Sequence, residues 1–330
     1  MAEFAHLPTP LERAPRLARE LGLDPDRFFV KRDDCTGVAA GGNKIRKLER
    51  LVAQARRLNL DTLVTGGGTQ SNHARSTAGV AARVGMRCVL VLAGPEPSPP
   101  TANVLLDRVF GAEIRWLDGP LEHHVAEAAV ESTAAELNAA SATGRCALPI
   151  PLGGSSGEGV AAYTHAAVEI TGQLGGIPPD VVLTASGTGG TQAGLSLGFA
   201  TDARTKVVGI DVGARPDLAD ALAGLAADAR EVLVADGFDP GPIPQTFDVR
   251  DRFVGERYAA LTAEASDAAS LFARHSGLIL DPVYTAKAAA GLVSMCRSGE
   301  LSAEQTVVFM HTGGLPGVFA PYAADFGQRR

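Results

Sequence analysis

A doubly wound α/β fold is predicted from the pattern of apolar residues along the chain. Runs of four to six residues rich in Val and Leu alternate with longer Ala-rich stretches of helical period. The runs are apolar throughout, as expected of parallel strands covered by helices on both faces. Gly-rich segments follow several of these runs directly, which puts loops at the carboxyl ends of strands, where open α/β sheets bind ligands.

Strands are expected at Phe28–Arg32, Thr62–Thr65, Cys88–Leu92, Glu113–Leu117, Val181–Ala185, Val207–Val212 and Val307–Met310. Helices are expected at Ile45–Leu58, Ala74–Val84, Thr101–Phe110 and Leu121–Asn138 in the first half of the chain. In the second half they are expected at Ser156–Leu174, Thr191–Phe199, Thr262–His275 and Tyr284–Ser298. Gly94–Pro100 and Leu174–Asp180 are Pro/Gly-rich and read as linkers. The stretch from Ala214 to Asp251 reads as helix and loop.

With 330 residues the chain has room for two domains or one large α/β unit. Lys and Arg number 30 against 37 Asp and Glu, a formal charge of −7, which argues against a nucleic-acid partner. Hydrophobic residues make up 45% and charged residues 20%, a globular balance. No apolar run is long enough to span a membrane, and the first 15 residues carry acids and prolines rather than a secretory core. The expectation is a cytoplasmic protein with no membrane partner. Four scattered cysteines form no CxxC pair and the seven histidines no ligand spacing, so neither a metal nor a disulfide framework is expected.

Four segments carry candidate chemistry. In Gly41-Gly42-Asn43-Lys44-Ile45-Arg46-Lys47-Leu48, the apolar spacing starts a helix near Asn43, which serves as its cap. Lys44 then sits in the first turn, where the positive end of the helix dipole disfavours an ammonium. Either Lys44 is a solvated residue in a basic helix start, or a partly deprotonated amine is wanted there. In Gly66-Gly67-Gly68-Thr69-Gln70-Ser71-Asn72-His73, free backbone N–H groups at a helix start suit a carboxylate or phosphate, while Ser71 and Asn72 read equally as caps. Ser186-Gly187-Thr188-Gly189-Gly190-Thr191 follows a strand and lacks the lysine of a P-loop, so it suits a phosphate monoester or a plain tight turn. Asp281-Pro282-Val283-Tyr284-Thr285 and His311-Thr312-Gly313-Gly314 are weak signals individually.

In order along nearly the whole chain, these segments resemble the fold-type II pyridoxal-phosphate enzymes, and among them the D-cysteine desulfhydrase/1-aminocyclopropane-1-carboxylate deaminase group. The resemblance also takes in Leu7-Pro8-Thr9-Pro10-Leu11-Glu12 and Val30-Lys31-Arg32-Asp33-Asp34-Cys35. It implies two mostly parallel open sheets of the tryptophan synthase β type with pyridoxal 5′-phosphate between them. A large domain would comprise 1–48 and 156–330, a small one 49–155, and the protein would be a homodimer. Lys44 would hold the cofactor as an internal aldimine and move protons, and Asn72 would bond the ring 3′-oxygen. Ser186, Gly187, Thr188, Gly189, Gly190 and Thr191 would bind the phosphate, with Lys47 nearby.

Ser71, Tyr258 and Tyr284 would act with Lys44 on a small amino-acid substrate, the two tyrosines standing 26 residues apart. Further substrate contacts are implied at Thr69, Gln70, His73, Gly154 and Ser155. The deaminase branch has a carboxylate facing the pyridine nitrogen at the position of Thr285, so a hydroxyl, Thr312 or Thr285, would take that role here. His73 also matches the desulfhydrase branch. The implied activity is β-elimination from a cysteine-like amino acid, giving sulfide or another β-group, pyruvate and ammonia. Cyclopropane ring opening and β-replacement are the alternatives, with a cofactor-binding sensor as the non-enzymatic one. Two segments depart from the group, Gly153–Glu158 and the stretch after Tyr258, and both would border the side-chain pocket.

Overall fold

The computed structural model describes residues 3–202, 204–324 and 326. The first half runs β1 (Leu11–Arg13), α1 (Pro15–Leu21), β2 (Phe28–Arg32), α2 (Lys44–Arg57), β3 (Thr62–Gly68), α3 (Asn72–Val84), β4 (Arg87–Ala93), α4 (Ala102–Val109), β5 (Glu113–Leu117), α5 (His123–Ala140) and β6 (Ala147–Pro149). The second half runs α6 (Gly157–Gln173), β7 (Val181–Ser186), α7 (Gly190–Gly198), β8 (Lys206–Asp211), α8 (Leu218–Ala235), β9 (Asp248–Arg250), α9 (Ala263–Ser276), α10 (Thr285–Arg297) and β10 (Val307–His311).

Two sheets result. Six strands lie in the order β1-β2-β10-β7-β8-β9, parallel except for the antiparallel edge strand β1. The other four lie in the order β5-β4-β3-β6, all parallel. The doubly wound expectation therefore holds for both sheets. β1, β6 and β9, which the apolar pattern did not mark, are three-residue strands at sheet edges. A segment that short and paired on one side has no room to display a period.

Each sheet is buried on both faces. In the larger, Leu183 and Phe309 join a cluster with Phe272 and Leu292, while Val182 and Val308 point the other way into Tyr163 and Ile170. In the smaller, Leu63 and Leu90 pack with Ile45 and Leu48 of α2, and Val64 and Val89 with Val130 of α5. Adjacent residues of one strand thus enter opposite cores, the physical origin of the unbroken apolar runs. Because Ile45 and Leu48 belong to the smaller sheet's core, the expected division at residue 48 falls inside α2.

α6 and α7 lie in close contact, because Gly194 and Gly198 present no side chain to α6. A Cβ at Gly194 would stand 2.4 Å from Val160 O, and one at Gly198 would stand 2.5 Å from Ala167 Cβ.

The start of α2 is anchored by a buried ionic cluster. Arg46 donates to Asp33 Oδ1 at 2.8 Å from Nη2 and to Glu169 Oε2 at 2.8 Å from Nη1. Lys31 Nζ pairs with Glu169 and donates to Thr9 O at 2.8 Å, and Tyr163 OH donates to Asp33 Oδ2 at 2.6 Å. Two cations thus meet two carboxylates, and the Arg46 bonds tie α2 to α6 and to the residue after β2, while Lys31 and Tyr163 link β2, α6 and the N-terminal segment among themselves. Burial opposes the charge on Asp33 and Glu169, yet Arg46 and Lys31 hold both below the usual carboxylate range. Their contribution to stability is complete above the unfolded carboxylate range, about pH 4, and is lost as pH falls through the lower folded values. Arg46→Ala leaves buried Asp33 without its guanidinium and Glu169 with Lys31 alone, and should cost about 3–5 kcal/mol in urea denaturation. A loss below about 1 kcal/mol would mean that the cluster does not anchor the helix.

Candidate functional site

The carboxyl ends of β3 and β7 face a single cleft of about 760 Å³ including its open mouth. Its walls come from the start of α2, the β3–α3 and β7–α7 turns, and Tyr258, Tyr284 and Thr312. Such a volume matches a small-molecule site.

Lys44 is the first residue of α2 and lines the cleft. Burial, with the guanidinium of Arg75 nearby, lowers its amine from 10.5 to about 8, against a smaller opposing pull from Asp281. One turn on, Lys47 is fully buried, and burial together with the charge of Lys44 pushes it well below the lysine range. Its Nζ donates to Gly153 O at 3.0 Å and Ser155 Oγ at 3.3 Å. Among the described residues no carboxylate lines the cleft, and neither lysine has an ion-pair partner. Charging these amines without an anion is costly, and a bound anion would offset that cost.

The β7–α7 turn is shaped for such an anion. Gly189 has φ +87°, a conformation that side chains disfavour, and α7 starts at Gly190 with free N–H groups turned to the cleft wall. A Cβ at Gly190 would stand 2.5 Å from Ser155 Oγ and 2.6 Å from Lys47 Nζ, so glycine there leaves room for the ammonium. Buried Ser186 Oγ has no hydrogen-bond partner among the described residues. Thr188 Oγ1 meets Ser155 Oγ at 2.7 Å. Asn43 was expected to cap α2, but its backbone is already helical and its Nδ2 donates to Thr191 Oγ1 at 3.0 Å, joining the two helix starts.

At the β3–α3 turn, Ser71 Oγ accepts from Ala74 N at 3.2 Å, so Ser71 caps α3 and leaves its own proton free toward the cleft. His73 Nε2 lies 3.0 Å from Thr65 Oγ1, whose proton goes to Ile150 O, so the ring carries its proton on Nε2. Burial and the two lysines keep His73 neutral. Asn72 lines the cleft with its Oδ1 taken by Asn103 Nδ2 at 3.0 Å. The hydroxyls of Tyr258 and Tyr284 are hydrogen-bonded to each other, and burial raises Tyr258 to about 12 and Tyr284 well above its usual value. Both phenols are protonated at neutral pH.

The cleft therefore gathers Lys44, Lys47, Ser71, Asn72, His73, the 186–191 turn, Tyr258, Tyr284 and Thr312. Thr285, expected as a partner of the ring nitrogen, lies outside the lining. Its hydroxyl is bound to Asp281, accepting from N and donating to Oδ1, both at 2.7 Å, and it does not line the cleft. Thr69 and Gln70 also lie outside the lining, because their side chains bond away to the β4–α4 segment, at Ala93 O and Thr101 O. Gly154 and Ser155 stand behind it, against Lys47. Leu121, Leu152 and Ala214 line the cleft without having been singled out, since apolar residues carry no chemical signal in sequence.

Residues 2–313 match the family of pyridoxal-phosphate dependent enzymes. A crystal structure of an ACC deaminase homologue is 36% identical, with a TM-score of 0.86 over 96% of this chain and 93% of that one. Threonine deaminase isoform 2 from Solanum lycopersicum is 20% identical, with a TM-score of 0.62 over 93% and 83%. An L-serine ammonia-lyase from the fungus Rhizomucor miehei is 17% identical, with a TM-score of 0.63 over 98% and 99%, a likeness of fold.

Competitive acylation of the ligand-free protein across pH, read by peptide mass spectrometry, should give Lys44 a midpoint near 8. A midpoint above about 10, that of an exposed lysine, would place the amine in solvent.

Proposed function

The chain belongs to the pyridoxal-phosphate dependent enzymes, and from that premise we propose a lyase that eliminates the β-substituent of a small, uncharged, cysteine-like amino acid. The fold is the tryptophan synthase β-like fold type II and the cofactor is pyridoxal 5′-phosphate. The residues present fit that group: a cationic cleft without a carboxylate, a glycine turn at a helix start and an amine near pH 8. Lys44 would carry it, with the 186–191 turn and Lys47 on its phosphate, Asn72 on its ring oxygen and Thr312 on its ring nitrogen. When bound, it withdraws electrons from the substrate α-carbon.

With the cofactor bound, the Lys44 amine would take the substrate α-proton on Nζ. A lysine near 8 is partly free at neutral pH and so serves as a base. Ser71 Oγ and the adjacent N–H groups at the start of α3 hold the α-carboxylate, fixing the α-bond for cleavage. The paired phenols of Tyr258 and Tyr284 remain protonated and would donate a hydrogen bond to the departing β-group. Addition of water then yields pyruvate and ammonia. Leu121, Leu152 and Ala214 give the side-chain pocket an apolar wall. With no cation there beyond Lys44 and Lys47 among the described residues, an acidic side chain has no partner.

The observation that carries elimination is the hydroxyl at Thr312, which leaves the ring nitrogen without a carboxylate to hold it protonated. Ring opening of an aminocyclopropane acid is the second reading, favoured by the 36% identical structure described as an ACC deaminase homologue. We extend the proposal to a cytoplasmic homodimer, with a small domain over 49–155 and a large one over 1–48 and 156–330.

An amino-acid panel assayed for sulfide, pyruvate and 2-oxobutyrate separates these readings. Sulfide and pyruvate without an added thiol support elimination, 2-oxobutyrate from the cyclopropane substrate supports ring opening, and turnover only with a second substrate supports β-replacement. Lys44→Ala should abolish turnover and the near-visible absorbance of lysine-bound cofactor. Retention of both would overturn the assignment of Lys44.

A further inference from the structure

We propose that Asn103, on α4, is a positioning residue that holds the Asn72 amide with its NH₂ group toward the cleft. The proposal rests on the reading that Asn72 faces the cofactor ring. An amide can turn over, exchanging a donor for an acceptor at nearly the same place. For Asn72 the difference is large, because its NH₂ would attract a ring oxygen and its Oδ1 would repel one.

The direction is fixed by a chain of one-way partners. Arg75 Nε, which can only donate, gives its proton to Asn103 Oδ1 at 3.2 Å. Asn103 Nδ2 donates to the backbone carbonyl of Gln70, which can only accept, at 2.9 Å. Asn103 therefore has a single allowed orientation, and its second Nδ2 proton goes to Asn72 Oδ1 at 3.0 Å. With Oδ1 occupied, the NH₂ of Asn72 is the end left for the cleft. The backbone of Asn103 is held too, its N–H donating to Gln70 Oε1 at 2.8 Å. Asn103 and Arg75 are fully buried, so water does not compete for these bonds.

Arg75 extends the chain to the other end of the site. Its Nη1 donates to Gly41 O at 2.9 Å and to Ala39 O, in the loop that leads into Lys44. One guanidinium thus ties the lysine's loop to the amide across the cleft. The nearest acid, Asp107, has no hydrogen-bond partner at either oxygen among the described residues, which leaves Arg75 committed to this chain of bonds.

The test is a double-mutant cycle on cofactor binding. Asn103→Asp keeps an acceptor for Arg75 but removes the donor to Asn72, so Asn72 turns its NH₂ inward and its Oδ1 to the cleft. Holoenzyme absorbance gives the rate of cofactor loss on dilution, and titration of the resolved protein with pyridoxal 5′-phosphate gives Kd. Asn103→Asp is expected to raise Kd roughly 10- to 100-fold, the scale of one hydrogen bond to a charged group. In an Asn72→Ala background the same substitution should change Kd less than about twofold. An equal loss in both backgrounds would assign Asn103 to packing alone and overturn the proposal. So would an unchanged Kd on Asn103→Asp while Asn72→Ala weakens binding. If Asn72→Ala leaves Kd unchanged, the reading of Asn72 itself fails and this proposal fails with it. Asn103→Ala, which removes the donor without burying a charge, goes through the same cycle, so a folding defect in either variant leaves the other to decide.

Discussion

Two lysine amines on one face of α2, Lys47 buried and Lys44 partly so, without a counter-ion are the constraint on which the site depends. An uncompensated buried cation is expensive, and Lys44 and Lys47 stand one helical turn apart at a helix start whose dipole adds to the cost. Burial explains most of all three shifts: with the charge of Lys44 it pushes Lys47 far below the lysine range, with Arg75 it brings Lys44 near 8, and with both lysines it keeps His73 neutral. A bound phosphate ester would offset the charge of both lysines, and the glycine turn before α7 borders the same cleft. The chemistry of the cofactor family follows from this local imbalance of charge.

The fold sustains that imbalance by holding the start of α2 from outside the cleft. The Asp33–Arg46–Glu169 cluster lies two residues beyond Lys44 and faces away from the site, so carboxylates that would neutralise the lysines are engaged elsewhere. The apolar side of α2 meanwhile belongs to the smaller sheet's core. A single helix thus carries its reactive group between two separately packed bodies of structure, with neither free to draw it into solvent.

Much of this is legible in the sequence because the reasons are local. Strands buried on both faces write themselves as unbroken apolar runs, and glycine-rich turns after β3 and β7 mark where a ligand can approach backbone. The three-residue edge strands leave no such pattern. Thr285 and Thr312 looked equivalent as ring-nitrogen partners, yet Asp281, four residues before Thr285 and just ahead of α10, takes its hydroxyl. Spacing of an acid before a helix start carried that signal. Asn43 read as a cap by residue type and proved to reach across to α7 instead. Asn103 lies 31 residues from Asn72 and sits in a helix with no chemical motif, so only the folded chain brings the two amides together.

The bond from Asn43 Nδ2 to Thr191 Oγ1 spans the gap between the residue next to Lys44 and the glycine turn before α7. It behaves as a strut of fixed length between the two ends of whatever molecule lies across the cleft. Drift at one of these two positions would have to be matched at the other for the gauge to keep its setting.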